Sequence, residues 1–176
     1  MKKYAVLVVV ILALASSASA AGTTTGSLQV LSTVSPYLNL TVTNSPITVT
    51  FTGDGTAGSV DRTASLNIMA NKPAWTVTFT SAHSGVLNSS TTGVNIPYYL
   101  QASGTGVVGA TMTNALSTAV QLTAPKAIQA TVAGKTPMNG VSYTLTVTVA
   151  AQAGTDTLWQ AATDYMDTIT IAITAP

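Results

Sequence analysis

Apolar and hydroxyl-bearing side chains alternate along most of the chain, and this period of two constrains the fold more than any other feature. In the segment VSYTLTVTV, Tyr143, Leu145 and Val147 take every second position and alternate with serine or threonine. Successive side chains of a β-strand point to opposite faces, so the segment predicts a strand with one apolar and one hydrated face. A helix would instead need apolar residues three and four positions apart. The pattern therefore predicts strands.

The same alternation recurs along the chain, separated by turn-forming residues. It predicts strands with these inward residues: Leu38, Leu40 and Val42; Ile47, Val49 and Phe51; Leu66 and Ile68; Trp75, Val77 and Phe79; Ile96, Tyr98 and Leu100; Val120 and Leu122; Ile128 and Val132. Clusters of Gly, Pro, Asn and Ser lie between them, with turns about 8 to 12 residues apart. We therefore predict an all-β fold, an antiparallel Greek-key or jelly-roll-like sandwich. Only residues 155–166 are compatible with a short helix.

Two of the predicted strands raise questions of pairing. The segment DTITIAIT at 167–174 alternates isoleucine with threonine or alanine, and it follows directly on the turn AATDYMD. We predict that it completes a sheet of its own molecule. Pro97 lies within another strand, where it has no N–H to donate to a ladder. That strand is therefore predicted to lie at a sheet edge or to contain a bulge.

The first twenty residues have the three parts of a secretory signal peptide. Lys2 and Lys3 form a basic start, AVLVVVILALA is an apolar run, and SSASA supplies small residues before a cleavage site. The apolar run is too short to cross about 30 Å of hydrocarbon as an anchor. We predict a cleaved signal peptide at 1–20, an N-terminal arm at 21–34 and one β-sandwich domain at 35–176. The expected location is secreted, at the cell surface and without a membrane anchor.

Composition excludes several functional classes. Charged residues make up 6% of the chain, against about 25% in ordinary soluble domains. Without Lys2 and Lys3, the chain has four basic and five acidic residues, so no basic surface is expected for nucleic acid. The chain has no cysteine, which excludes thiol catalysis and thiolate metal sites. A neutral, hydroxyl-rich surface gives little repulsion between copies and so tolerates self-association.

Few residues offer catalytic or metal-binding chemistry. His83 is the only histidine, and no G-x-S-x-G motif or other nucleophile signature accompanies it. Asp164 and Asp167 are interpreted as turn residues rather than as paired catalytic carboxylates. Asp54 and Asp61 lack the ligand spacing of an EF-hand calcium loop. We therefore predict no enzymatic activity, no metal and no cofactor.

Aromatic residues and sequons mark candidate surface sites. Trp159, Tyr98 and Tyr99 could form a stacking platform for a surface glycan, as in carbohydrate-binding modules; of these, Tyr99 and Trp159 have no core position by pattern. Asn39 in NLT and Asn88 in NSS begin N-glycosylation sequons. A carbohydrate-binding or adhesin module that uses Tyr99 and Trp159 is therefore an alternative function.

Two segments resemble secreted pilin-like and spore-coat-U-like sandwiches. YMDTITIAIT at 165–174 is similar to their closing strand, in which tyrosine and aspartate precede alternating Thr and Ile or Val. IPYYLQASGTG at 96–106 is similar to their Pro-Tyr-x-Leu strand. The threonine-rich chain also resembles non-type-IV pilins and biofilm-matrix fibre subunits, including archaeal bundling pilins. The chaperone–usher and spore-coat relatives commonly carry a disulfide, which this cysteine-free chain lacks.

The resemblance implies a structural subunit that polymerises with itself into a pilus (fimbrium), biofilm fibre or spore or surface coat. In such donor-strand assembly each copy donates an extended arm that completes the sheet of the next. Here the donated arm would be 21–34, with Leu28, Val30 and Val34 as its contact residues. Head-to-tail addition does not close, so it yields a fibre. The residues leave one alternative open, in which 27–34 is the first strand of a self-contained sandwich.

Overall fold

The computed structural model describes residues 29–50, 59–107, 110–131, 136–149 and 162–176. Within these ranges the regular structure is β-strand and no residue is helical, so the all-β prediction is confirmed. In the same ranges there is no helix with the length and apolarity needed to cross a membrane. The predicted signal peptide, Leu28, Phe51, Val132 and Trp159 lie outside the described residues.

The strands form two antiparallel sheets within the compact unit Pro36–Pro176; Met1–Ser35 forms a separate unit. The five-stranded sheet has the order β1-β2-β8-β5-β4, and the four-stranded sheet has the order β6-β7-β3-β9. Their inner faces share one apolar core, as in a β-sandwich. The strands are β1 (Leu38–Thr43), β2 (Val60–Ala70), β3 (Trp75–Ser81), β4 (Val86–Asn88), β5 (Asn95–Gly104), β6 (Thr111–Asn114), β7 (Lys126–Thr131), β8 (Val141–Val149) and β9 (Ile169–Thr174).

Alternation in the sequence becomes alternation in burial. Trp75, Val77 and Phe79 of β3 are at most 2% exposed, while the threonines between them remain half-buried. Tyr143 of β8 is also buried, and the residues on either side of it are exposed. Complete burial of one large apolar side chain contributes about 1.5–3 kcal/mol, so the shared core holds the two sheets together.

The predicted terminal strand is present and joins its own sheet. As β9 it pairs antiparallel with β3, from Thr76 opposite Thr174 to Ser81 opposite Ile169. Its isoleucines face the core and its threonines face solvent. Since β9 is the last strand of the four-stranded sheet, its other side is a sheet edge among the described strands.

Of the two alternatives predicted for the strand with Pro97, an edge strand or a bulge, the edge strand is wrong. β5 lies between β8 and the three-residue β4, and Pro97 is opposite Val86. Tyr98 donates its backbone N–H to the carbonyl oxygen of Gly85. Because successive residues of an antiparallel strand direct their N–H groups to opposite sides, the nitrogen of Pro97 points away from β4. Pairing with β8 begins one residue later, at Tyr98 opposite Val149. The missing N–H therefore lies at the end of that ladder and interrupts neither side.

Two other segments differ from the predicted strands. Val120 makes only an isolated bridge to Leu100, although Leu122, two positions further along, is buried. Ile47 and Val49 are half-buried and pack against the core, but their segment forms no ladder with any described residue. The apolar pattern reports which side chains are buried, and burial does not require a hydrogen-bonded neighbour.

Candidate functional site

An apolar groove of about 580 Å³ lies along the two edge strands β1 and β9. Leu40 and Val42 of β1 line one side, and Ile169 and Ile171 of β9 line the other. Buried residues of the five-stranded sheet complete the lining, among them Leu100, Leu145, Val147 and Val149. Ile47 and Val49 also border it. The groove therefore gives access from the edges of both sheets to the core between them.

The strands that border the groove are incompletely covered. Leu40, Val42 and Ile171 face the core but remain half-buried, whereas Leu66 and Val77 on inner strands have no exposed surface. No described strand pairs with the outer edge of β1 or of β9. Partly exposed apolar side chains on an edge strand are the features that allow a further strand to dock.

The described part of the N-terminal arm displays apolar side chains. Val30 is 77% exposed, Val34 is 79% exposed, and Leu31 between them is also exposed. Residues 29–37 contain no strand, turn or bend. Two of the three predicted contact residues, Val30 and Val34, are thus presented to solvent on an irregular segment, and the third, Leu28, lies outside the described residues.

A buried carboxylate in the wall of the groove joins three segments of the chain. The side chain of Asp167 is only 2% exposed. Its Oδ2 accepts hydrogen bonds from Ser81 Oγ and Tyr98 Oη, each at 2.5 Å. Its Oδ1 accepts the backbone N–H groups of His83 at 3.0 Å and Thr168 at 2.8 Å. Asp167 therefore ties the end of β3 and the start of β9 to β5 in the opposite sheet.

These hydrogen bonds set the charge of the cluster. Burial raises the pKa of Asp167, but the hydrogen bonds led by those of Ser81 and Tyr98 outweigh it and hold this pKa below its ordinary value. Burial, and then the hydrogen bond to Asp167, raise the pKa of the Tyr98 phenol. Asp167 is consequently a carboxylate at neutral pH, and Tyr98 is its neutral donor.

Ser81, His83 and Asp167 lie together, but they do not form a catalytic triad. In a triad the serine bonds to the imidazole, which in turn bonds to the aspartate. Here Ser81 Oγ donates to Asp167 and accepts the backbone N–H of His83 and Gly85. His83 Nδ1 lies 3.2 Å from Asp167 Oδ1. The serine oxygen thus fixes the turn after β3, and this arrangement provides no activated nucleophile.

Asp164 holds a different turn. Its carboxylate accepts hydrogen bonds from Ser89 Oγ at 2.6 Å, from Ser90 Oγ at 2.9 Å and from the N–H and Oγ1 of Thr91, both at 3.0 Å. The bond from Ser89 contributes most to a pKa that lies well below the ordinary value of the group. Asp164 and Asp167 therefore organise two separate loops, in agreement with their interpretation as turn residues.

The lowered carboxylate pKa values predict acid sensitivity. Both groups bind protons less readily in the folded chain than at their ordinary pKa of 3.8. Their contribution to stability should therefore be complete well above that value and be lost as the pH falls below it, because protonation then favours the unfolded chain. We expect urea midpoints that are constant from neutral pH to about pH 5 and fall in stronger acid.

Two variants separate this effect from general acid unfolding. Asp164→Asn should reduce the acid dependence, because it removes one of the two titrating groups. Asp61→Asn should leave it unchanged, because the Asp61 side chain is exposed and makes no hydrogen bond with a described residue. An acid dependence that stays the same in Asp164→Asn would contradict the assignment.

Of the three aromatic residues in the predicted platform, Tyr98 and Tyr99 lie within the described part of the chain and Trp159 does not. Tyr98 is 2% exposed and points into the core, so its assignment to a surface platform is wrong, because the strand alternation turns it inward. Tyr99 points to the opposite face, half-buried and opposite Thr148 of β8. No cluster of three or more His, Asp, Glu or Cys side chains among the described residues could hold a metal ion. Asp61 lies exposed near the start of β2, and Asp54 is outside the described residues.

Both sequon asparagines lie on strands. Asn39 is exposed on β1, the edge strand beside the groove. Asn88 is half-buried at the end of β4, and its backbone forms an isolated bridge to Met166. Sequence reasoning missed Ser81, Ser89 and Tyr98 as the partners of the two carboxylates. Each of these hydrogen bonds joins residues 69 or more positions apart, so no local signal could have identified them.

Comparison with known proteins does not indicate a function, so the groove and the arm are the basis for proposing one. No family model matches the chain, and neither a curated protein nor a solved structure matches it.

Proposed function

We propose that the protein is a secreted structural subunit that polymerises into a pilus, biofilm fibre or surface coat by donor-strand assembly. In this proposal, the N-terminal arm of one copy occupies the groove between β1 and β9 of the next. The groove is the observation that carries the proposal, because it is apolar and is bordered by two sheet edges that no described strand covers.

The arm has the pattern that such a groove requires. Leu28, Val30 and Val34 are separated by even numbers of residues, so an extended arm would present all three on one face. Backbone hydrogen bonds to an open edge would provide affinity, and side-chain pockets would provide register. Each valine or leucine that the groove buries would add about 1.5–3 kcal/mol.

The composition of the chain favours association between copies. Charged residues make up only 6% of the chain, so neighbouring copies repel each other weakly. A head-to-tail exchange of this kind adds subunits without closing and produces a fibre.

Removal of the arm tests the proposal. We expect the mature chain, residues 21–176, to form fibres in electron micrographs and to elute as large species in size exclusion. A chain of residues 35–176 should remain monomeric. A synthetic peptide of residues 21–34 should bind this monomer and raise its Tm, because it fills the groove.

Point variants in the arm provide the matched comparison. Val30→Asp should abolish fibres, because it would place an unpaired charge in the apolar groove. Gln29→Asp adds the same charge at the neighbouring residue, whose side chain would point to the opposite face of the extended arm, and should retain the fibres. If both the full and the truncated chain are stable monomers, the polymer proposal is wrong. Saturable binding of a glycan through Tyr99 would then become the function to test.

A further inference from the structure

We propose that Asn39 carries an N-linked oligosaccharide on the outer face of β1, and that Asn88, in the second sequon, remains unmodified. The sequence offers both sites equally, as NLT and NSS. Their structural settings differ, because one sequon is open to solvent and the other is built into a hydrogen-bonded loop. This inference rests on the export that the proposed function includes, but it does not depend on polymerisation.

The Asn39 sequon is accessible along its length. Asn39 and Thr41 are both exposed, and they lie side by side because residues two positions apart on a strand share a face. The side chain of Asn39 makes no hydrogen bond with any described residue. β1 pairs only with β2 among the described strands, so its other edge is open to an approaching transferase. A glycan can therefore be added without breaking a described contact.

The asparagine of the second sequon is held in place. Asn88 Nδ2, the atom that would be modified, donates to Asn95 Oδ1 at 2.7 Å. The backbone N–H and C=O of Asn88 are both bonded to Met166, each at 3.0 Å. Modification would replace one of the two hydrogens on Nδ2 with a sugar at a half-buried residue, directly beside Asn95 and on a backbone segment tied to Met166.

The remaining residues of the second sequon are also occupied. Ser89 has no exposed surface, and its hydroxyl donates to Asp164. Ser90, which supplies the hydroxyl of the sequon, donates its Oγ to the same carboxylate at 2.9 Å. A transferase would therefore have to open the loop that Asp164 organises before it could bind this sequon.

Asn39 lies on a different face of β1 from the residues that line the groove. Leu40 and Val42 point to the groove, so Asn39 points to the opposite face of β1. If the groove accepts an arm as proposed above, the glycan would project away from it. A chain with so few charges gains solubility from such a group, because an attached oligosaccharide is bulky and hydrated.

Mass spectrometry of the protein secreted by its source organism tests the inference. We expect the intact mass to exceed that of the mature chain, and peptide mapping to place the added hexose-containing mass on Asn39 alone. Thr41→Ala should remove it, because the sequon is lost. Thr41→Ser should retain it, because serine restores the required hydroxyl at the same exposed position. Asn88→Gln should leave the added mass unchanged.

The opposite outcomes would overturn the assignment. An unmodified Asn39 would show that the exposed sequon is not used. An oligosaccharide on Asn88 would show that the loop around Asp164 does not protect that sequon. Added mass that survives Thr41→Ala would place the modification on another residue.

Discussion

Replacement of Asp167 with asparagine should lower the free energy of unfolding by about 3 kcal/mol, because the buried carboxylate accepts hydrogen bonds that an amide cannot replace. Its two oxygens accept from two hydroxyl groups and two backbone N–H groups. Asparagine offers one oxygen and turns an N–H₂ group toward donors, which leaves buried polar groups unsatisfied. Urea denaturation at pH 7 measures the loss.

A double-mutant cycle identifies the source of this loss. Tyr98→Phe alone removes one donor and should cost about 1 kcal/mol. Combined with Asp167→Asn it should cost less than the sum of the two, because the same hydrogen bond is lost in both. Strict additivity would show that Tyr98 and Asp167 do not interact. Asp61→Asn, on an exposed residue of β2, is the control and should change stability little.

An aspartate in place of Val42 should abolish fibre formation while the monomer stays folded. Val42 lines the groove, and a docked arm would bury an unpaired charge at this position at a cost of several kcal/mol. In the free subunit Val42 is only half-buried on an edge strand, so the new carboxylate can reach water. Electron microscopy measures the fibres, and circular dichroism with a thermal melt measures the fold.

The neighbouring residue provides the control for this variant. Thr43→Asp adds the same charge to the same strand, but on the exposed outer face. Its fibres should be as abundant as those of the unmodified chain. Abundant fibres from Val42→Asp would show that the groove is not the assembly surface, even if removal of the arm prevents assembly.

The features of the fold that depend on local alternation of apolar and polar residues could be predicted from the sequence. Burial of Trp75, Val77 and Phe79 follows from their spacing, as does the inward face of β9, because a strand turns alternate residues to the same side. β4 and β6 were not predicted, because segments of three and four residues are too short to show a period. Sheet order was beyond prediction, because alternation identifies a buried face without identifying the neighbouring strand.

The candidate site was less predictable than the fold. Val30 and Val34 could be named from their spacing. The groove that would receive such an arm includes residues from β1, β5, β8 and β9, so it exists only after the sheets pack. Asp167 shows the same limit, since its partner Ser81 is 86 positions away in sequence. The accessibility of Asn39 and Asn88 also depends on tertiary structure, because both sequons satisfy the same motif.

The position of β3 in its sheet has a consequence during synthesis. β3 pairs with β7 on one side and with β9 on the other, and both strands follow it in the chain. Until they are made, TVTFT within β3 is an uncharged, β-branched and aromatic segment with both edges unpaired, which is the composition of an aggregation-prone strand. We therefore expect the nascent chain to be most prone to self-association while β9 is still missing.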